Sequence, residues 1–252
     1  MLYLIGLGLD NGELSLNGLK ALKNSKKLFL ETYTTPISEE YLSFLKKQDI
    51  ELILLNRSDL EENAKTLISK AKAEDIAILV PGDPLIATTH HLLLVIAKNL
   101  GVKVTIFHSS SIFSAAIAES GLDIYKFGPT TTITQWSKNY TPTSFLENID
   151  RNLQNKQHTL LLFDIINNGE RTLSIKEAAS IITKAEEKLG KIIISKKKIL
   201  LLENIGSKES SITYAELSVL SEKKNKKEIK KSCLIVPAQT SFAEKELLEL
   251  FI

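Results

Sequence analysis

Residues that could bind a ligand follow a short buried strand in the first half of the chain. Residues 76–80 are all apolar and rich in β-branched side chains, which favours a strand over a helix. The sequence Pro81-Gly82-Asp83-Pro84 then forces a sharp turn, because proline donates no backbone hydrogen bond. Ligands of open α/β sheets bind at the carboxyl ends of strands, so Asp83 is placed to accept hydrogen bonds from a bound molecule. A turn aspartate that binds its own backbone is the alternative.

The histidines and the cysteine argue against a metal centre. His90 and His91 are adjacent, so in a helix they point about 100° apart and do not easily share a metal ion. Cys233 is the single cysteine, which excludes an internal disulfide and a cysteine-based metal cluster. We therefore predict no metal.

His108 and three serines precede a helix of small residues. Backbone N–H groups and hydroxyls at such a helix start suit a polar or anionic ligand group. Ordinary serine capping explains the same pattern.

The glycines near the start of the chain leave a nucleotide-binding alternative open. A dinucleotide fingerprint needs glycines at its first, third and sixth positions, and after Gly6 and Gly8 the sixth position is Asn11. Glu31 ends the next apolar run, where a ribose-binding acid would stand. An NAD-binding oxidoreductase is therefore one alternative, and glycines that only let a strand bend are another.

Composition indicates a globular protein without a strong overall field. The 252 residues are 43% hydrophobic and 25% charged, with a net charge of +2 that does not call for nucleic acid. The basic stretch at residues 223–231 is either a solvated loop or a contact for an acidic partner. The opening residues lack the basic start of a signal peptide, and no apolar run reaches the roughly 18 residues of a membrane span. A cytoplasmic protein without membrane contact follows.

Strands alternate with helices in the first half, which predicts a largely parallel sheet with helices on both faces. Strands are expected at residues 2–7, 27–31, 50–54, 76–80 and 102–107, and helices at 15–26, 42–47, 60–72 and 90–100. In the second half, we expect strands at 130–134, 159–163, 199–202 and 234–237, helices opened by capping boxes at Ser144 and Ser174, and a last helix at 242–250. These elements predict two α/β lobes, residues 1–121 and 122–252, the second with a mixed sheet.

Four stretches in the same order resemble one family. They are Tyr3-Leu-Ile-Gly-Leu-Gly-Leu9, Pro81 to His90, His108 to Ala115 followed by Gly121-Leu-Asp-Ile-Tyr-Lys-Phe-Gly128, and His158-Thr-Leu-Leu-Leu-Phe-Asp-Ile165. Together they span most of the chain and resemble the diphthine synthases, which are S-adenosylmethionine-dependent methyltransferases of the tetrapyrrole-methylase fold.

The resemblance implies a cofactor, a substrate and an assembly. The substrate is a histidine of elongation factor 2 that carries a 3-amino-3-carboxypropyl group, whose amine is methylated to give diphthine. Members of the family are homodimers that bind the cofactor, released as S-adenosylhomocysteine, in a cleft between two lobes. The family's cofactor contacts correspond to Leu9, Asp83, Ile86, Ser111, Ile112, Phe163, Ile205 and Ser232.

Methyl transfer to an amine needs a neutral nucleophile held close to the methyl group, and neither a metal nor a covalent intermediate. Glu31, His90 and His108 are candidate proton acceptors, with water as an alternative. Lys126 and Arg171 are candidate partners for the substrate carboxylate. Two further functions fit the same residues: a methyltransferase of this fold that acts on a tetrapyrrole, and a non-catalytic partner of the translation machinery.

Overall fold

The computed structural model describes residues 1–10, 13–37, 39–47, 51–166, 169–222 and 231–252. The chain forms two compact units. The first comprises Met1–Ile112 with Asn167–Glu170, and the second comprises Phe113–Ile166 with Arg171–Ile252. The lobe boundary expected after residue 121 stays a prediction. Residues 223–230 of the basic stretch lie outside the described residues.

In the described part of the first unit, the chain forms five strands and five helices. In chain order they are β1 (Leu2–Gly6), α1 (Leu16–Asn24), β2 (Lys27–Glu31), α2 (Glu39–Lys46), β3 (Leu52–Leu55), α3 (Arg57–Glu61), α4 (Ala64–Ser69), a 3₁₀ turn (Lys70–Lys72), β4 (Ile76–Val80), α5 (His91–Asn99) and β5 (Val104–Phe107). The strand order is β3-β2-β4-β1-β5, and every pairing is parallel. The largely parallel first sheet is therefore confirmed.

The strand order creates a switch point between β1 and β4. The chain leaves β1 toward β2 and β3, whereas it leaves β4 in the other direction, toward β5. Adjacent strands that exit in opposite directions open a crevice at their carboxyl ends, where ligands of such sheets bind. We refer to the side on which all five strands end as the carboxyl edge of the first sheet.

Burial explains why β4 is the centre of this sheet. All five of its residues are buried, and strands covered on both faces read as continuous apolar runs. One core includes Phe29, Ile68 and Ile78, and a second, on other side chains of the same strands, includes Leu28, Leu45 and Leu79. Together they cover both faces of the first sheet.

The second unit, apart from residues 223–230, contains seven strands and five helices. They are α6 (Ile112–Glu119, whose first residue belongs to the first unit), a 3₁₀ turn (Ile124–Lys126), β6 (Thr131–Ile133), α7 (Ser144–Gln154), β7 (Thr159–Phe163), β8 (Ile165–Ile166), β9 (Arg171–Thr172), α8 (Ile175–Leu189), β10 (Lys198–Glu203), β11 (Ser211–Glu216), α9 (Leu217–Glu222), β12 (Ser232–Val236) and α10 (Phe242–Glu249). Its main sheet has the order β11-β10-β12-β7-β6, and β8 pairs with β9. The pair of β6 with β7 is parallel and the other pairings of the main sheet are antiparallel, so the mixed second sheet is also confirmed.

The central strand of the second sheet holds the chain's single thiol. Cys233 lies on β12, between β10 and β7, and is 1% exposed. Burial raises the pKa of this thiol to about 12. Among the described residues, no helix is both long and apolar enough to cross a bilayer.

Two expectations for elements were wrong, and some of the observed elements were not expected. The helix expected at residues 60–72 is broken into α3, α4 and a 3₁₀ turn, because Asn56 caps α3 early and the chain restarts at Asn63. Ser144 does not cap α7, since Thr143 is its N-cap and makes no side-chain capping bond. No strand was expected at residues 211–216, where β11 forms the edge of the second sheet.

Candidate functional site

Two glycines join the exits of β1 and β4 at the switch point. Gly8 and Gly82 exchange backbone hydrogen bonds of 2.8 and 3.2 Å, and their φ angles are 76° and 71°. Side chains other than glycine rarely adopt this left-handed backbone, and a Cβ on Gly8 would collide with Glu13. The glycine pair therefore brings Leu9 and Asp83 to the same place on the carboxyl edge.

The carboxylate of Asp83 links the exits of β4 and β5. It is 5% exposed and accepts hydrogen bonds from His108 Nδ1 at 2.7 Å, from Leu85 N at 3.0 Å and from Ser109 N at 3.3 Å. The bond from Leu85 N is a local turn interaction. Such an interaction is the alternative to ligand binding as the role of Asp83. The other two bonds reach a loop 25 residues away in sequence, which no turn pattern predicts.

His108 is the exposed member of this pair. Its Nδ1–H donates to Asp83, which leaves Nε2 as the lone-pair nitrogen, and 67% of the side chain is exposed. A carboxylate that fixes the tautomer of an exposed imidazole is an arrangement suited to proton transfer.

The remaining predicted contacts of the first unit flank these residues. Ile86 is 43% exposed and lies in the turn after Pro84. Ser111 is 8% exposed and precedes α6, and Ile112 is the first residue of that helix. Leu9 donates its backbone N–H to the carboxylate of Glu13. The first unit thus collects Leu9, Asp83, Ile86, Ser111 and Ile112 at the exits of β1, β4 and β5.

Glu31 and His90 are buried and anchor loops. Glu31, 0% exposed, accepts hydrogen bonds from the backbone of Tyr33 and from the backbone and hydroxyl of Thr34, and burial raises its pKa. His90, 1% exposed, donates from Nδ1 to the carbonyl of Pro84 at 3.0 Å, and its Nε2 lies 3.4 Å from the Tyr33 hydroxyl. Burial lowers the pKa of His90, which keeps it neutral. Both side chains shape the carboxyl edge from beneath and do not face solvent.

The predicted contacts of the second unit share one edge of its sheet. Phe163 ends β7, and Ser232 opens the antiparallel β12 beside it. Glu203, at the end of β10, pairs with Ser232, and the chain then turns through Ile205, which is 4% exposed. We name this side of the second sheet the Phe163 edge.

The Phe163 edge also holds a polar atom that no sequence pattern singles out. Thr134 follows β6, the parallel neighbour of β7. Its hydroxyl oxygen is buried and has no hydrogen-bond partner among the described residues. Leaving such a group unpaired is costly, so an unpaired hydroxyl here suits a bound ligand.

Lys126 belongs to a partly buried ionic cluster in the second unit. Its Nζ contacts Glu244 at 2.5 Å and the carbonyl of Gln239 at 2.8 Å. Glu244 also accepts from His158 Nε2 at 3.0 Å, and His158 Nδ1 in turn accepts from Ala238 N at 2.9 Å. Despite its burial, the hydrogen bond from Lys126 and the other donors hold the pKa of Glu244 far below its usual range, and burial lowers the pKa of His158. The charge of Lys126 is thus engaged inside the unit.

Arg171 is engaged in the same way. Both of its Nη atoms donate to Glu177, at 2.8 and 2.9 Å, and this pair lowers the pKa of Glu177 to about 2. Glu177 completes the capping box with Ser174 at the start of α8, as the sequence predicted. The charges of Arg171 and Lys126 are both paired with carboxylates of the second unit. The structure therefore gives no support for either residue as the partner of a substrate carboxylate.

Glu13 is the charged side chain at the carboxyl edge that the sequence reasoning missed. Its Oε2 accepts the backbone N–H of Leu9 at 2.6 Å and also the hydroxyl of Ser110. The one sequence feature related to this contact is Gly8, which lacks a side chain and so leaves room for Glu13 above the end of β1. The position of Glu13, in the irregular stretch between β1 and α1, carried no hint of this contact.

Comparisons with known proteins agree over most of the chain. A profile of the family described as tetrapyrrole (corrin/porphyrin) methylases matches residues 1–220. A diphthine synthase of Methanothermobacter thermautotrophicus is 37% identical, over 98% of this chain and 94% of that protein. The diphthine methyl ester synthase of Homo sapiens is 37% identical, over 66% of this chain and 58% of that protein. A crystal structure of a diphthine synthase superposes with a TM-score of 0.86 at 30% identity, covering 99% of this chain and 95% of that one.

Proposed function

We propose that this chain, which belongs to the tetrapyrrole methylase family and within it to the diphthine synthases, methylates the 3-amino-3-carboxypropyl histidine of elongation factor 2. The methyl donor is S-adenosylmethionine and the acceptor is the amino group of the modified histidine. The observation that carries the proposal is the similarity to a diphthine synthase along 98% of the chain. The same similarity favours this function over a tetrapyrrole substrate, an NAD-dependent reaction or a non-catalytic role.

The residues at the two sheet edges fit this cofactor. S-adenosylmethionine supplies an activated methyl group on a sulfonium, together with amino, hydroxyl and carboxylate groups. In the first unit, we assign its contacts to Leu9, Asp83, Ile86, Ser111 and Ile112, at a switch point suited to ligands. In the second unit, we assign Phe163, Ile205 and Ser232, and the unpaired hydroxyl of Thr134 supports a polar ligand group at that edge.

We assign the proton acceptor to His108. An amine attacks a methyl group only in its neutral form, so each round of methylation releases a proton that must leave the acceptor nitrogen. Glu31 and His90 are buried and occupied by loop contacts, whereas His108 is exposed and presents Nε2. In this assignment Nε2 takes the proton from the acceptor amine, and Asp83 holds the imidazole through Nδ1.

Labelled cofactor tests the substrate directly. The protein is incubated with methyl-labelled S-adenosylmethionine and with elongation factor 2 that carries the 3-amino-3-carboxypropyl histidine. We expect label on that residue and none on a factor with unmodified histidine, which lacks the acceptor amine. Equal labelling of both factors, or labelling of a free tetrapyrrole instead, would refute the proposed substrate.

We also propose that the reaction takes place in the cytoplasm, without a metal ion and in a homodimer. A translation factor as substrate supports the location, and an in-line methyl transfer to an amine needs no metal. Exposed apolar side chains at the end of the chain support the dimer, since Phe242 is 77% and Leu250 is 74% exposed.

A further inference from the structure

The side chain of Glu13 ties the exits of β1 and β5 together. Its Oε2 accepts from Leu9 N and from the Ser110 hydroxyl, and its backbone carbonyl accepts the Ser109 hydroxyl at 3.0 Å. The three contacts fix the residue on the carboxyl edge of the first sheet. The carboxylate lies over Gly8, where any Cβ would overlap it.

The charge of Glu13 is held by neutral groups. Both of its observed side-chain bonds end on Oε2, so Oε1 has no hydrogen-bond donor among the residues that the structure describes. Within the same residues, no lysine, arginine or histidine forms an ion pair with it, whereas the nearby Asp83 accepts a hydrogen bond from the imidazole of His108. The pKa of the Tyr41 phenol is raised mainly by burial and, to a smaller extent, by the negative charge of Glu13. Among the residues that the structure describes, the carboxylate of Glu13 at the switch point is therefore held in place without a cationic partner.

We propose that Glu13 is a specificity-determining residue that makes this edge favour cationic S-adenosylmethionine over neutral S-adenosylhomocysteine. This inference rests on the proposed function. The two molecules differ by one methyl group and by the positive charge on sulfur, so contacts with adenine, ribose and the amino-acid portion do not distinguish them. A fixed carboxylate does, because it attracts the sulfonium and has no comparable attraction for a thioether. The result is weaker retention of the product after each methyl transfer.

Calorimetric titration of both ligands tests the inference without any turnover. Glu13→Gln keeps the shape of the side chain and its acceptor oxygen but removes the charge. We expect this variant to bind S-adenosylmethionine about three- to tenfold more weakly relative to S-adenosylhomocysteine than the wild type does. The matched control is Glu74→Gln, which removes the same charge two residues before β4, at the opposite end of the strands.

Two results would overturn the inference. One is an unchanged ratio of the two dissociation constants in Glu13→Gln, and the other is an equal change in Glu74→Gln, which would indicate an effect of net charge alone. A wild type that binds neither ligand would instead refute the proposed function. Thermal unfolding shows whether Glu13→Gln folds, and if it does not, the wild type is titrated with both ligands at increasing salt. We then expect added salt to lower its preference for S-adenosylmethionine. A preference independent of salt would refute the inference.

Discussion

At the scale of single residues, Asp83 shows how one carboxylate joins several parts of a site. Its oxygens accept from the turn that follows β4 and from the loop that follows β5. The Pro-Gly-Asp-Pro turn made the aspartate visible in the sequence. Its pairing with His108 was not predictable, because only the parallel arrangement of β4, β1 and β5 brings the two loops together.

Removing Asp83 should weaken cofactor binding. We expect Asp83→Ala to lower the affinity for S-adenosylhomocysteine by about 1–3 kcal/mol, because the ligand group that Asp83 is assigned to bind would lose its buried acceptor. Titration calorimetry measures the change. The assignment of Asp83 is wrong if the dissociation constant stays the same.

Removing His108 should slow turnover while leaving the cofactor bound. We expect His108→Gln to lower kcat by about a hundredfold, the size usual for a lost general base. Added imidazole should restore part of the rate, and binding of S-adenosylhomocysteine should be unchanged. His91→Gln, a change at another exposed histidine, is the control. A fully active His108→Gln would show that water alone accepts the proton.

At the scale of elements, strong local signals predicted structure well. Strand β2 and strand β7 begin and end at the residues expected from their apolar runs, and α8 has both its predicted capping box and its glycine stop at Gly190. These signals act within a few residues, so sequence alone contains them.

Elements that depend on distant partners were predicted poorly. Strand β11 is half-buried along nearly its whole length, and its sequence has no continuous apolar run that would predict a strand. The strand forms because it pairs with β10. The candidate site follows the same rule. Its turn residues were visible in the sequence. Glu13 and Thr134 become notable only once strand exits from different parts of the chain are neighbours.

The cluster of Lys126, His158 and Glu244 should make the second unit sensitive to acid. His158 has a lowered pKa in the folded protein. Once the pH falls below its unfolded pKa of about 6.5, the unfolded state binds a proton more readily, and the free energy of unfolding decreases. Glu244 also has a lowered pKa, so its contribution is present above the unfolded value of about 4.3 and is lost as the pH falls further. Both shifts therefore have the same sign, and stability should decline on acidification.

Glu244→Gln should reveal this cluster. We expect a loss of about 3–5 kcal/mol in the free energy of unfolding at pH 7, as for a broken buried ion pair, and a smaller dependence on pH between about 5 and 3. Urea unfolding followed by fluorescence of Trp136, the single tryptophan, reports on the second unit. Glu246→Gln, on the exposed side of the same helix, should behave like the wild type. Equal stability of Glu244→Gln and wild type at pH 7 would contradict the role of the cluster.

At the scale of the whole molecule, alternation of strands and helices predicted the two kinds of sheet but not the order of their strands. The insertion of β4 between β2 and β1 is what creates the switch point, and it results from contacts between segments about 50 to 75 residues apart. Resemblance to a family, and not periodicity, supplied the expectation of a cofactor at that place.

The proposed dimer makes a prediction at this scale. We expect sedimentation at micromolar concentration to give twice the mass of one chain, and Phe242→Glu to shift the protein toward the monomer, because the change places a charge on a 77% exposed apolar residue. Leu16→Glu is the control, since Leu16 is 78% exposed in the first unit. A wild type that sediments as a single chain would contradict the dimer.

Because Cys233 is buried, the rate at which a reagent labels its thiol measures how often the second sheet opens. The thiolate is the form of cysteine that attacks a thiol reagent. A thiol with a pKa of about 12 on a central strand forms almost no thiolate until that strand separates from its neighbours. The first unit contributes no cysteine, so the labelling rate follows the second unit alone. S-adenosylhomocysteine at 100 times its dissociation constant should then slow labelling by about 100-fold if Phe163 and Ser232 bind it, because a ligand of the closed state suppresses opening in proportion to its occupancy. Cofactor contact with the second unit would thus be read from a colour reaction, with neither elongation factor nor methyl transfer in the tube.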